Sequence, residues 1–173
     1  MGINKGMDIN NIISNVESSD EYKDFIKNNP HHYLAHLFSL MDSEHKNDWQ
    51  LGYYSKETDK ITVFDYLEDG TLSIMPPQEA FKEKNYIEPL DIGKVKVSKD
   101  QAIAIVDKII KENYKAESLS KMIILLQNLP EHGQIWNITI VTTTFSVINI
   151  KIDSKNGTVI KHSKESLIGW KKE

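Results

Sequence analysis

The chain has 173 residues, 39% of them apolar, with a formal net charge of -4 at pH 7, enough for one ordinary domain or two small ones sharing a core. All 21 basic side chains are Lys and they are interspersed with acids, which excludes the clustered cations and planar guanidinium forks that grip phosphates and read guanine edges, so no nucleic-acid partner is expected. The absence of cysteine excludes disulfides, thiolate metal sites and Cys nucleophiles.

The opening MGINKGMDINNIISNV has no cationic start followed by an apolar run. Neither a signal peptide nor a membrane-spanning helix is therefore expected, and the reading is cytoplasmic with no membrane partner. Residues 1–7 read as a frayed lead-in. Asp8 can cap a helix through Ile12, Ile13 and Val16, with Ser18, Ser19 and Asp20 as an interruption or second cap before Tyr22, Phe25 and Ile26. Asn28-Asn29-Pro30 then predicts a new helix, Pro30 to about Met41, because Tyr33, Leu34, Leu37, Phe38, Leu40 and Met41 recur at helical spacing.

From Trp49 the period becomes alternating. Trp49, Leu51 and Tyr53 share one face of a strand, Ile61 and Val63 resume a second, and Asp69-Gly70 turns the chain into Leu72 and Ile74, which predicts a three-stranded meander. Pro76-Pro77 stops it, and Gln78 to Gly93 reads as a helical turn and an irregular connection. Ser98, with Gln101 in capping-box position, starts a helix to about Asn113 or Tyr114. Met122 to Leu126 is a short apolar run that periodicity leaves open between helix and strand, and Pro130 and Gly133 after it favour a strand entering a hairpin. Strands Ile135–Val141 and Phe145–Ile152 follow, with Thr142 to Thr144 as a turn or a bulge, and Asn156-Gly157 turns into Thr158 to Lys161. Ser163 to Glu173 reads as a polar tail pinned by Leu167, Ile168 and Trp170.

The halves 1–92 and 93–173 superpose without a gap at an offset of 87 residues, which lays Trp49 on Trp136, Ile61 on Ile148, Val63 on Ile150, Gly70 on Gly157 and Leu72 on Val159. Glu44-His45 likewise falls on Glu131-His132. Each half supplies helix and then antiparallel strands whose apolar face needs a cover.

The second half carries VSKDQAIAIV from Val97, WNITI from Trp136 and INIKIDSKNGTVI from Ile148. An alternating strand that runs into Asp, a short polar turn, Gly and a β-branched pair resembles the PepSY domain over about the last 75 residues. The first half resembles the family more distantly. The resemblance implies a helix packed on a small antiparallel sheet, protein binding or peptidase inhibition as the role, and no catalytic residues to carry over.

His32 and His36 stand four residues apart on the expected Pro30 helix, with Asp42, Glu44 and His45 beyond, a spacing able to hold zinc or nickel. The set lacks the Glu that follows the first His of a metalloprotease helix, so no metal ligand is assigned. Glu44-His45 and Glu131-His132 offer acid-base pairs in settings that read as polar turns. Trp49 and Trp136 are expected as core anchors, whereas Tyr54 and Tyr66, on the opposite parity, are the candidates for a partner surface. Gly52, Gly70, Gly93, Gly133 and Gly157 read as separate turn residues, with no phosphate cradle among them.

The expectation is thus an α+β protein of two similar helix-plus-antiparallel-sheet halves with no catalytic residues and no cofactor. Its role would be a binding or regulatory module that takes a protein or peptide partner, or a second copy of itself, at an open sheet edge or face. The alternative is a small-molecule or metal-binding protein with a pocket between the halves.

Overall fold

The Asp8 carboxylate accepts from the Asn10 N–H and opens α1 (Ile9–Glu17), and the Ser19 hydroxyl accepts from the Tyr22 N–H and opens α2 (Asp20–Asn28). Both caps stand where their side chains imply. The computed structural model describes residues 8–80 and 86–168; the lead-in and Trp170 lie outside them. α3 (Lys99–Asn113) starts at Ser98 with both hydrogen bonds of the capping box to Gln101 in place.

After α2 the chain forms β1 (Tyr33–Met41), a strand where a helix was expected. β1 lies inside the sheet, paired with a strand on each side, and both of its faces carry apolar side chains. Leu37 belongs to the main core, while Phe38 and Leu40 point the other way and are half-buried. A strand apolar on both faces reads as a near-continuous apolar run, and such a run fits a helical stripe equally well.

The meander follows as β2 (Trp49–Ser55), β3 (Lys60–Tyr66) and β4 (Leu72–Ile74), with a two-residue β5 (Gln78–Glu79) on β3 where a helical turn was expected. β6 (Leu119–Leu129) is the expected strand, and β7 (Gly133–Thr142) and β8 (Ser146–Asp153) continue from it. The 142–145 segment is a true turn, with Phe145 in the left-handed region at φ 58°. β9 (Val159–Ser166) runs well into the expected tail, because its polar residues pair with β8 through Ser146 and Ser166. Leu167 and Ile168 are exposed, not pins.

Together the three helices and the nine-stranded antiparallel sheet make an α+β fold, with sheet order β4-β3-β2-β1-β6-β7-β8-β9. The β1–β6 pair is the seam between strands from the first and second halves of the chain, with Phe38 opposite Leu125. All three helices lie against one face of the sheet, where Ile12, Val16, Ala102 and Val106 close on Leu37, Leu51, Ile124 and Ile138. α2 adds Tyr22 and Phe25, whose rings meet Tyr53 and Phe64 at centroid distances of 5.1–6.3 Å.

The gapless superposition of the halves fails at one strand. β1 on β6 and β2 on β7 keep faces in step, since Leu37, Leu51, Ile124 and Ile138 share the helix side. Ile61 and Val63, however, form a separate cluster with Ala35 and Tyr54 on the opposite face, whereas Ile148 and Ile150 lie in the helix-side core. A one-residue slip exchanges the two faces of a strand, so it is Thr62 and Phe64 that occupy the register of Ile148 and Ile150.

Candidate functional site

The two histidines that share a face on a helix separate on a strand. Four extended residues span roughly 13 Å, and the two rings take different surroundings. His32, just before β1, sets its ring edge-on to Phe25 of α2 at 5.0 Å. His36 lies on the sheet face away from the helices, over Gly52 of β2, its cross-strand partner. Among the described residues no group of three metal-ligating side chains is present.

Gly52 is not a turn residue but the middle of β2. A Cβ built on it would stand 2.2 Å from Cε1 of His36, so the missing side chain is the space that the imidazole occupies. Burial pushes the His36 imidazole down to about 4, which keeps it neutral at physiological pH. His36 is also one of the residues that line a cavity on this face of the sheet. The Gly52→Ala protein is expected to lose roughly 1–3 kcal/mol of stability, since the ring must be displaced from a packed position. In a His36→Ala background the same change should be neutral or stabilising by up to ~1 kcal/mol, as for any strand glycine freed of a close neighbour. Urea unfolding of the four proteins reads the difference; an equal loss in both backgrounds contradicts this account of Gly52.

The cavity itself has a volume of ≈ 770 Å³ and straddles the seam, within the size range of small-molecule sites. Its floor is sheet: His36 and Phe38 of β1, Gln50 of β2, Val63 of β3, and Leu125 and Gln127 of β6. Its wall is the connection from β5 toward α3, which brings Glu79, Ala80, Tyr86, Ile87 and Glu88 over the floor. That connection is fastened at several points. Gln78 and Glu79 pair with Ile61 and Lys60, the Tyr33 hydroxyl donates to the Ile87 carbonyl at 2.5 Å, and the Asn128 amide donates to the Pro89 carbonyl at 3.1 Å. The Leu90 N–H donates to the Leu34 carbonyl at 2.9 Å. Strands of both halves and the connection between them thus build one concavity with an apolar base, four side-chain amides (Gln50, Gln78, Gln127 and Asn128) and a neutral imidazole.

The other candidates stand apart from it. The Tyr54 ring does lie on the face opposite the helices, but it is wholly buried, edge-on to Tyr33, and its hydroxyl donates to Asp59 at 2.6 Å. That burial leaves none of Tyr54 for a partner. Tyr66 is half-buried on the helix side, and its hydroxyl accepts from the Asn15 amide of α1 at 3.0 Å. Trp49 and Trp136 are both buried; Trp49 lies under the Lys99 ammonium, 4.9 Å from the ring centroid.

Glu44 and His45 sit in the β1–β2 turn, where the Asp42 carboxylate accepts from both backbone N–H groups at 2.8 and 2.7 Å. Those two donors hold the Asp42 carboxyl below the usual range. Glu131 and His132 sit in the β6–β7 turn. Because β1 and β6 are antiparallel, the two turns lie at opposite ends of the sheet and form no joint acid-base site.

Two features here escaped the sequence reading: the wall residues 78–80 and 86–88, which have no periodicity to interpret, and Gly52 beneath His36. A glycine inside the alternating Trp49–Ser55 run was the available signal, since an interior strand glycine marks close approach of another group.

No family model and no curated protein matches the chain. Among solved structures the chain is similar to the crystal structure of a putative lipoprotein from Clostridium difficile 630, at 18% sequence identity and a TM-score of 0.54 over 84% of this chain and 91% of that one. At that identity the likeness is one of fold.

Proposed function

We propose that the protein is a non-catalytic binding module whose site is the seam cavity, and that it takes a small organic molecule or the end of a short peptide. The observation that carries this is the cavity's construction: a wall fastened to the sheet floor bounds a concavity of ≈ 770 Å³ that His36 helps to line. An apolar base with a few convergent polar groups is the common form of a ligand site. It favours the pocket between the halves over a sheet edge as the place of recognition.

A repeat of PepSY-like halves, with the slip at β3, supports the same location. At the 87-residue offset Phe38 falls on Leu125, and these two are cross-strand partners at the seam. Two related units joined there about an approximate twofold would bring equivalent strands together, and binding sites commonly form at such junctions.

Fragment screening by amide-resolved NMR tests the proposal. Hits are expected to move the backbone amides of His36, Gln50, Gly52 and Gln127 together. Leu125→Trp, which fills the floor from a half-buried position, should abolish them. Hits confined to other surfaces, or unaffected by Leu125→Trp, would end it.

A second reading has its own support in β9, an eight-residue outer strand paired only with β8. Unpaired backbone groups on such an edge accept an added strand from a peptide or a second copy. A sedimentation mass that stays monomeric at high protein concentration removes the self-association version.

A further inference from the structure

We infer that a second copy of this chain docks along the outer edge of β9, antiparallel to it and about a twofold axis, with Ser163 opposite its own counterpart. The inference deepens the edge reading, on which it rests, and does not depend on the cavity. Just past the end of β9, the Leu167 N–H donates to the Phe145 carbonyl at 2.8 Å. Backbone groups alternate in direction along an antiparallel strand, so Lys161, Ser163 and Glu165 also turn theirs toward β8. His162, Lys164 and Ser166 turn theirs outward, and among the described residues no strand takes them.

The side chains divide by face. On the helix side, the Tyr114 hydroxyl lies 2.7 Å from Nδ1 of His162, and the Lys164 ammonium pairs with Glu117. An edge lysine ordinarily guards a strand against added partners, but Lys164 is neutralised within its own chain. The other face carries Lys161, Ser163 and Glu165, opposite Lys151, Asn149 and Val147 of β8. Lys161 and Lys151 are therefore like charges placed directly across from each other, which weakens a sheet. Among the described residues neither Lys161 nor Glu165 has an ion-pair partner.

A strand paired antiparallel with its own copy centres on one residue if outward groups are to meet outward groups. Centring on Lys161, Lys164 or Glu165 sets identical charges against each other. Centring on His162 sets Lys161 against Ser163 and Glu165 against Val159, and centres nearer the ends pair less of the strand. Centring on Ser163 sets Lys161 against the partner's Glu165 and, by symmetry, Glu165 against the partner's Lys161. Each copy then supplies the carboxylate that Lys161 lacks in its own chain.

Sedimentation of the full chain over a range of concentrations tests this, and a mass rising from monomer to dimer is expected. Lys161→Glu and Glu165→Lys each turn two attractive pairs into two repulsive ones and should weaken association about tenfold or more. An equimolar mixture of the two variants pairs Glu against Lys at both places, so it should regain most of the wild-type strength, which also shows that both variants fold. Ser163→Cys, in a chain without cysteine, should link to its own copy on mild oxidation, because facing side chains of such a pair are close. Lys161→Cys should not, since its own counterpart lies about four residues, roughly 13 Å, away along the edge. A chain that stays monomeric at high concentration overturns the inference and leaves the edge open to a foreign peptide. A dimer that keeps its strength in both charge reversals, or a mixture that fails to regain it, overturns the pairing at β9, as does Lys161→Cys linking as readily as Ser163→Cys.

Discussion

Trp136→Ala is expected to remove roughly 3–5 kcal/mol of folding stability, the range for deleting a large aromatic side chain from a core that collapses only in part. Trp136 is wholly buried on β7 between Leu126 of β6 and Ile152 of β8, on the face covered by α3. Its indole N–H donates to the Val97 carbonyl at 2.9 Å. That bond ties the segment entering α3 to the sheet, because the N–H groups of Lys96 and Val97 both donate to the Ser154 carbonyl at 2.9 Å on the strand side. Trp136→Phe isolates the polar part: it keeps most of the ring volume but leaves a buried carbonyl unpaired, at a cost of roughly 1–3 kcal/mol. Urea denaturation followed by circular dichroism measures both. If the Phe variant matched the wild type, the indole bond would have no part in anchoring α3. If the Ala variant lost under ~1 kcal/mol, the core placement of Trp136 would be wrong.

The parts of this fold that sequence reasoning recovered depend on neighbours a few residues away. Asp8, Ser19 and the Ser98–Gln101 box each answer to backbone donors within three residues, so helix starts could be read directly. Gly70 and Gly157 both adopt positive φ, 86° and 79°, at the hairpins where Asp69-Gly70 and Asn156-Gly157 announced them. β1 was not readable in this way. Whether Tyr33–Met41 is a helix or an interior strand depends on whether β2 and β6 arrive on its two sides, and those partners are distant in sequence. The far half of β9, beyond the expected Lys161, was missed for the complementary reason. It is an edge strand whose outer residues are polar, and only pairing with β8 reveals it. The gapless overlay of the halves, anchored on their turns, missed the slip at β3, since alternation in Ile61 and Val63 looks the same from either face.

The site followed the same division. His36 drew attention through its spacing from His32, and that spacing had meaning only on a helix. Once the segment is a strand, the informative neighbour of His36 is Gly52, across a register that nothing local encodes. The cavity wall was less legible still, because the connection at 86–90 is held by single bonds from Tyr33, Leu34 and Asn128 and by no pattern of its own.

Acidification is expected to weaken the protein through His36 over a defined interval. The imidazole has an ordinary value of 6.5, and burial in the fold lowers it to about 4. A base whose folded value is depressed is protonated first in the unfolded chain, so the unfolded state binds the extra proton and stability falls as pH drops. Above about pH 6.5 both states are neutral and the contribution is fully present. Between there and about pH 4 it is lost progressively, and below that both states carry the charge and the loss levels off. At about 1.4 kcal/mol per pH unit the whole interval is worth roughly 3 kcal/mol. The measurement is the stability of wild type minus that of His36→Leu at matched pH, which cancels the groups common to both, including His32, whose value is also lowered by burial. The difference should decline by roughly 3 kcal/mol between pH 7 and pH 4. A flat difference would mean that water solvates the ring in the folded protein.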